Sequence, residues 1–364
     1  MSKDLYTPTR EEKARQDFVL SLKLLTNGLV QHRVREEYQS RLLPDLEARL
    51  GRVPRERAEV ERPLARSVTF RHWAALTHRS QSMMWEAIEA TTQRVAAEGA
   101  ARFAQLRAGG VRRGSLELDP SLHVPPPIAN CEIHRQPGGY CGPDDPNDVT
   151  AGLRAIGASA IYGTGKGQVR TPRHFLVTQL LARFPGLGEP ARILDMGCGV
   201  GAHSQSIARE FPGAEYHGVD VAAGLLKFGH LLAEERGVPI HFHQRDAAHT
   251  GFEDGSFDLV ISNILFHETN AARLPQILRE CRRVLRPGGV MLHVDVPTQV
   301  AHLSLADQVM NDWQVRWNGE PFWTAFAERD MQREIVAAGF DESRAFAEQV
   351  ARPGGKWYVF GAVA

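Results

Sequence analysis

Short β-rich segments alternate with helical segments from about Thr171 onward, and this alternation limits the possible folds more than any other feature of the chain. The helical stretches AHSQSIAREF, AAGLLKFGHLLAEERG and LPQILRECRRVL separate the β-rich runs ARILDM, AEYHGVDV, PIHFHQRD, FDLVISN and GVMLHVDV. Parallel strands need long crossover connections, which are usually helices, so this order predicts right-handed βαβ units and a mostly parallel sheet. The final run, GKWYVFGAVA, predicts an antiparallel strand at the edge of the sheet.

A glycine-rich loop follows the first of these strands. In LDMGCGVGAHS, Gly197, Gly199 and Gly201 stand between an apolar run and a helical stretch. Glycine lacks a Cβ, so it turns tightly and lets a ligand approach the backbone. Ligands of open parallel sheets bind beyond the carboxyl ends of the strands, where the strand order reverses. The loop therefore predicts a ligand site.

Three aspartates indicate what kind of ligand the loop binds. Asp195 ends the strand inside the loop, where a fixed carboxylate repels a phosphate and attracts a cationic group. Asp220 ends the second strand, a position typical of residues that bind ribose hydroxyls, and Asp246 after the third strand can accept a hydrogen bond from an exocyclic amine. The set favours a ligand with an amino group, a ribose and an adenine over a dinucleotide or an empty turn.

Four stretches in order resemble the successive motifs of class I S-adenosylmethionine-dependent methyltransferases: ILDMGCGVG, YHGVDVA, HQRDAAHTGFEDGSFDLVISNILFHE and CRRVLRPGGVMLHVD. The similarity is greatest to the small-molecule branch typified by ubiquinone and menaquinone biosynthesis, and it covers roughly residues 171–300. It implies an α/β fold with a Rossmann-like, seven-stranded, mostly parallel sheet and helices on both faces. It also implies methyl transfer from the cofactor S-adenosyl-L-methionine to a small organic acceptor (EC 2.1.1.-).

The same resemblance assigns a cofactor site. In the family, the acidic residue and glycines of the first motif lie against the methionine moiety, the next acid holds the ribose, and later residues border the adenine and the sulfonium. Carried over to this chain, the site comprises Asp195, Gly197, Cys198, Gly199, Gly201, Asp220, Val221, Asp246, Ala247 and Asn263.

His267 and Glu268 follow the fourth strand, where the methyl acceptor is expected, and are the candidate catalytic residues. An imidazole there can take a proton from the acceptor as the methyl group is transferred. A histidine that only packs at a helix start remains the alternative. Methyl transfer depends mainly on the alignment of the acceptor atom, the methyl group and the sulfur in a pocket that excludes water. The prediction of a methyltransferase therefore does not require a base.

Aromatic residues supply the candidate substrate wall, which favours an apolar or aromatic acceptor. Large aromatic side chains cluster in NDWQVRWNGEPFW, and core packing is the alternative explanation for them. Tyr140 lies in a turn-rich candidate flap, and a second flap segment includes Lys166 and Arg170 beside another tyrosine. The predicted substrate-binding residues are Tyr140, Tyr162, Trp313, Trp317 and Trp323.

The chain divides into three predicted parts. Residues 1–118 carry apolar residues at helical spacing and predict a helical region that covers the substrate or forms a homodimer. Residues 119–170 are rich in proline and glycine and predict a linker and active-site flap, and residues 171–364 predict the methyltransferase domain. GTGKGQ lacks the spacing of a phosphate-binding loop.

Composition excludes several classes of protein. With 43 Lys and Arg against 43 Asp and Glu, the chain lacks the excess of basic residues that is typical of proteins that bind nucleic acid. No apolar run predicts a membrane span, and no signal peptide is expected, so the predicted compartment is the cytoplasm. Cys131, His134 and Cys141, with His123 nearby, fit no standard zinc spacing, so no metal is predicted.

Two other functions remain open at this point. One is a non-catalytic protein that binds S-adenosylmethionine as a sensor or scaffold. The other is a protein methyltransferase, although SNIL stands where some amide and base methylases carry an NPPY-type tetrapeptide.

Overall fold

The structure is a computed structural model that describes residues 5–109, 112–141, 145–165, 174–297, 303–352 and 355–364. The helices are α1 (Arg10–Leu25), α2 (Gln31–Glu37), α3 (Leu43–Leu50), α4 (Arg57–Arg66), α5 (Val68–Ala108), α6 (Pro126–Ala129), α7 (Thr150–Gly165), α8 (Phe175–Arg183), α9 (Ala202–Glu210), α10 (Ala223–Glu235), α11 (Leu274–Val284), α12 (Leu305–Asn318), α13 (Trp323–Ala327) and α14 (Met331–Ala337). The strands are β1 (Ser115–Glu117), β2 (Arg192–Met196), β3 (Glu215–Asp220), β4 (His241–Gln244), β5 (Phe257–Asn263), β6 (Leu285–Asp295), β7 (Ala345–Arg352) and β8 (Gly355–Val363).

Helices α1 to α5 form the N-terminal region, which confirms the helical prediction. Helix α1 begins at a capping box, in which the Thr9 hydroxyl accepts a hydrogen bond from the Glu12 amide (3.2 Å) and the Glu12 carboxylate accepts one from the Thr9 amide (2.8 Å). Helix α5 is 41 residues long and buries Trp73, Met84 and Ile88 completely. Within the described residues, no helix is both long enough and apolar enough to cross a membrane.

Among the residues that the structure describes, eight strands form one sheet in the order β1-β4-β3-β2-β5-β6-β8-β7. The pairs among β1 to β6 are parallel, whereas β8 is antiparallel to both β6 and β7. The Rossmann-like fold is therefore confirmed, but the expected strand count is too low by one. The additional strand, β1, comes from residues assigned to the N-terminal region and pairs with β4 at one edge.

Neighbouring residues of a strand face opposite sides, so the sheet buries apolar side chains on both faces. On one face Leu194 of β2 joins the core cluster of Ile277 from α11. On the other face Ile193 joins the cluster of Leu176 from α8 and Ile207 from α9. The C-terminal strand β8 is antiparallel as predicted, yet it does not lie at the edge, because β7 pairs along its outer side.

The N-terminal helices share a core with the sheet domain. Ile88 of α5, Leu153 of α7 and Phe228 of α10 belong to one buried cluster. Helices α7 and α10 approach so closely that a Cβ on Gly152 would lie 2.1 Å from the Cβ of Phe228. Helix α7 itself lies within residues 119–170, the segment predicted as a linker and flap.

The contact between α7 and α10 gives a stability prediction. Gly152→Ala places a methyl group against Phe228 and should lower the free energy of unfolding by about 1–3 kcal/mol, because a close-packed interface tolerates extra volume poorly. Gly28→Ala is the matched control, since no atom lies within 4 Å of its added Cβ, and it should be neutral or stabilising. Urea unfolding of both variants measures the difference, and equal stabilities would contradict the packing argument.

Candidate functional site

A cavity of about 330 Å³ opens at the carboxyl ends of the central strands. Strand β2 lies between β3 and β5, so the chain proceeds from β2 to one side and later returns to the other. This reversal leaves a crevice above β2, which is the place where such sheets bind ligands. The volume lies within the range of small-molecule sites. The lining residues include Gly197, Cys198, Gly199, His203, Asp220, Val221, Asp246, Ala247, Asn263 and Glu268.

The glycine loop has the backbone conformation that requires glycine. Gly197, Gly199 and Gly201 have φ values of 66°, 55° and 62°, in the left-handed region that other residues rarely adopt. A Cβ on Gly197 would lie 2.5 Å from Leu265, and one on Gly201 would lie 2.9 Å from Phe242. A Cβ on Gly199 would meet no atom within 4 Å, so this lining position faces open space.

Asp220 lies at the end of β3 on the cavity wall. Its carboxylate accepts hydrogen bonds from the amides of Gly199 and Ala222, both at 2.9 Å. Burial raises the pKa of this carboxyl, and the two backbone hydrogen bonds counteract part of that rise. The amides fix the orientation of a carboxylate that can accept hydrogen bonds from a ligand's hydroxyls.

Asp195 lies beneath the loop and does not line the cavity. It is completely buried and accepts hydrogen bonds from the hydroxyls of Ser204 (2.6 Å) and Tyr216 (2.9 Å). His203 contacts Asp195 through Nε2 at 2.9 Å and itself lines the cavity. Gly201 is also absent from the lining. The carboxylate of Asp195 therefore influences the cavity indirectly, because it holds His203 and the helix that follows the loop in place.

Asp246 and Ala247 form the part of the wall beyond β4. The Asp246 carboxylate accepts a hydrogen bond from the Ala248 amide at 2.9 Å and forms an ion pair with Arg273. Arg273 lies directly before α11, lines the cavity and was not predicted from the sequence. No local sequence signal links these partners, because they are brought together only by the packing of α11 against the sheet.

His267 and Glu268 belong to a buried network beyond β5. His267 contacts the carboxylate of Asp295 through Nδ1 (2.6 Å) and that of Glu268 through Nε2 (3.1 Å). Burial alone lowers the pKa of His267, but these two carboxylates outweigh it and raise the pKa to about 10. His267 is therefore protonated at neutral pH, and Glu268, not His267, reaches the cavity wall.

The segment before α7 closes this end of the cavity. His134 contacts Glu268 through Nε2 and Glu320 through Nδ1, both at 2.6 Å, and the Tyr140 hydroxyl donates to Glu268 at 3.3 Å. Burial and the carboxylate of Glu268 hold the pKa of Tyr140 well above its usual range, so its hydroxyl keeps the proton. His134 and Tyr140 both line the cavity.

His134 is held in a strained conformation. It has a φ of 55°, and Arg135 a φ of 58°, which for residues other than glycine costs on the order of 1–3 kcal/mol each. The His134 carbonyl accepts hydrogen bonds from Gln81 (2.9 Å) and from the Trp85 indole (2.7 Å), both on α5. The N-terminal region thus positions a residue of the cavity wall.

The family described as "Methyltransferase domain" matches residues 193–289. A malonyl-[acyl-carrier protein] O-methyltransferase from Methylococcus capsulatus is 31% identical over 215 residues, which are 57% of this chain and 72% of that protein. The chain belongs to the class I S-adenosylmethionine-dependent methyltransferases.

Two further relatives of this methyltransferase are similar over shorter stretches. A demethylmenaquinone methyltransferase from Thermus thermophilus is 38% identical over 108 residues, 30% of this chain and 48% of that protein. A ubiquinone biosynthesis O-methyltransferase from Azorhizobium caulinodans is 31% identical over 156 residues, 42% of this chain and 59% of that protein. The chain thus covers less than two thirds of both. The predictions of an S-adenosyl-L-methionine cofactor and a small organic acceptor are confirmed, and the comparisons do not support the alternative functions.

The tryptophans predicted as a substrate wall of the methyltransferase do not line this cavity. The ring centroids of Trp313 and Trp73 are 5.4 Å apart, and Trp317 is 53% exposed at the surface. Trp323 lies 6.1 Å from His267, behind the buried network. The Tyr162 side chain, and all of Lys166 and Arg170, lie outside the described residues.

Asp220 gives a test of the cofactor site. Asp220→Ala should weaken binding of S-adenosylhomocysteine about thirtyfold to several hundredfold, because two charge-assisted hydrogen bonds are worth roughly 2–4 kcal/mol. Calorimetry measures the affinity, and Glu253→Ala, at an exposed acid that does not line the cavity, serves as the control. Undiminished binding by a folded Asp220→Ala variant would remove this residue from the site.

Gly199 tests whether the loop touches the ligand. Gly199→Asn should abolish cofactor binding, because asparagine tolerates the left-handed backbone while its side chain projects into the cavity. The control is Gly188→Asn, at an exposed glycine with a φ of 70° and no neighbour within 4 Å, which should bind normally. Equilibrium binding of S-adenosylhomocysteine distinguishes the two, and normal binding by the Gly199 variant would place the ligand elsewhere.

Proposed function

We propose that the protein methylates an oxygen atom of a small, largely apolar organic acceptor, and that Glu268 holds the hydroxyl that receives the methyl group. The observation that carries this proposal is the position of Glu268, which lines the cavity together with Asn263 and Tyr140. Two of the relatives are named as O-methyltransferases, one for a malonyl group on acyl-carrier protein and one in ubiquinone biosynthesis. Both names support oxygen as the acceptor atom.

The residues of the cavity fit the cofactor in a way that does not depend on the relatives. Gly199 leaves open space beside the loop, and Asp220 presents an oriented carboxylate to the same space. S-adenosylmethionine supplies a methyl group that its sulfonium already activates. Asp220 would hold the ribose hydroxyls, Asp246 and Ala247 would border the adenine, and the glycine loop would follow the methionine moiety.

The acceptor would lie at the end of the cavity beside Glu268, and the charged groups there differ from those beside Asp220. Glu268 interacts with two imidazoles that carry protons, and these hold its pKa well below the usual range although burial opposes them. Glu268 is thus a carboxylate at neutral pH and can accept a hydrogen bond from the acceptor hydroxyl. That hydrogen bond would orient the oxygen toward the methyl group, and the hydroxyl proton would leave along it toward Glu268 as the oxygen–methyl bond replaces the sulfur–methyl bond.

His267, predicted as a catalytic base, takes a different place in this proposal. Both of its ring nitrogens face carboxylates and it does not line the cavity, so it is a positioning residue that fixes Glu268. The apolar part of the acceptor would lie against the lining residues Ile128, Ile264 and Leu265. The N-terminal helices cover this end through His134. Homodimer formation by those helices stays a prediction.

The test replaces Glu268 by its neutral isostere. Glu268→Gln should lower kcat by about a hundredfold or more, while the affinity for S-adenosylhomocysteine changes less than about threefold, because the carboxylate acts on the acceptor. Production of S-adenosylhomocysteine is measured over a panel of phenols, catechols and carboxylic acids. Glu328→Gln, at an exposed glutamate paired with Arg57, is the control. A full rate for Glu268→Gln on an accepted substrate would contradict the assignment.

A further inference from the structure

Two histidines and two glutamates converge beside the cavity. One ligating atom from each of His134, His267, Glu268 and Glu320 can be chosen so that all four lie within 4.8 Å of one another. The four side chains are largely shielded from solvent, with exposures of 24%, 3%, 13% and 14%. They come from three separate parts of the chain, and only the tertiary structure brings them together.

We propose that these four residues form a binding site for a divalent transition-metal ion of the zinc class. Imidazole nitrogen and carboxylate oxygen together are the donors that Zn²⁺ and Co²⁺ bind well, whereas Mg²⁺ and Ca²⁺ prefer oxygen alone. This departs from the expectation of no metal, which considered His134 only with the cysteines of its own segment. The structure gives His134 different partners.

The donor atoms lie close together, and an ion bound by the two imidazoles would replace the protons that they carry without it, so binding releases protons. Nε2 of His134 and Nε2 of His267 lie 2.6 Å and 3.1 Å from the same Glu268 oxygen, Oε1. Around a tetrahedral zinc ion with bonds of about 2.0–2.2 Å, neighbouring ligand atoms are about 3.3–3.5 Å apart. An increase of less than 1 Å in each of these two separations would therefore admit an ion among the three side chains.

A second set of contacts fixes the ligands from behind. Nδ1 of His267 lies 2.6 Å from Asp295, the carboxylate–histidine arrangement that orients metal-binding imidazoles. Glu320 contacts Nδ1 of His134 through Oε1, and its buried Oε2 has no hydrogen-bond partner among the described residues. A free, buried carboxylate oxygen at this position is explained if it binds a cation.

The strain at His134 supports the same assignment. Its left-handed backbone is stabilised by the hydrogen bonds from Gln81 and Trp85, and its own amide donates to the Gly319 carbonyl at 2.6 Å. A Cβ on Gly319 would lie 2.7 Å from the Arg135 amide nitrogen, so glycine is required for this approach. Residue 319 directly precedes Glu320, so one contact positions both ligands.

Glu268 gives the ion a role at the acceptor end. Because this residue lines the cavity, an ion bound to it could take an oxygen atom of the acceptor as an additional ligand. This role rests on the proposed function. The metal site itself rests only on the four side chains, so the experiment below measures ion binding and needs no substrate.

The experiment titrates the chelator-stripped full chain with Zn²⁺ by calorimetry and with Co²⁺ by absorption spectroscopy. We expect one saturable site per chain, with Mg²⁺ unable to compete. Glu320→Gln and His134→Gln should each weaken Zn²⁺ binding at least about tenfold, because each removes a donor or the group that orients it. Glu320→Gln keeps the shape of the side chain, and its melting temperature without metal serves as the folding check.

Two controls separate this site from other metal-binding groups. His32→Gln removes an exposed histidine that pairs with Glu36, the kind of surface pair that binds metal weakly, and should leave the affinity unchanged. The spectrum of the Co²⁺ form should lack a thiolate charge-transfer band, because no cysteine belongs to the cluster. Absence of saturable binding, a thiolate band, or wild-type affinity in both cluster variants would each overturn the proposal.

Discussion

The parallel pairing of β2 with β3 on one side and with β5 on the other is the constraint on which the rest of the structure depends. It buries both faces of β2, so Ile193 and Leu194 face opposite cores and the strand cannot shift by one residue without exposing one of them. It also makes neighbouring strands end at the same edge. The loops after β2, β3, β4 and β5 therefore surround one cavity.

The glycine loop lets a ligand lie close to the backbone at this edge of the sheet. The loop is tied down at several points: the Cys198 amide donates to the Val219 carbonyl at 3.0 Å, and the Gly199 amide donates to Asp220 at 2.9 Å. Beneath it, Asp195 binds the side chains of Ser204, Tyr216 and His203. A loop held in this way does not need to reorganise when a ligand binds, which reduces the entropic cost of binding.

The N-terminal helices act on the opposite side of the cavity. Through Gln81 and Trp85, α5 holds the carbonyl of His134, and His134 in turn contacts Glu268 on the wall. The side of the cavity beside the glycine loop is bordered by loops of the sheet, while the side beside Glu268 is also bordered by His134, which the helical region holds in place. This contact gives the helical region that precedes the sheet domain a physical role at the cavity.

Local sequence by itself determined the alternation of the central strands and helices, the position of the glycine loop, and the acids Asp220 and Asp246 at or just beyond strand ends, because each is a short-range pattern. It did not reveal β1 as an eighth strand or β7 as the edge, since three-residue and edge strands bury too little to leave a periodic signal. Nor could it join His134 and Glu320 to Glu268, or Arg273 to Asp246. Those contacts span many residues, and only the packing of α5, α11 and α12 around the sheet decides which charged side chains share one buried space.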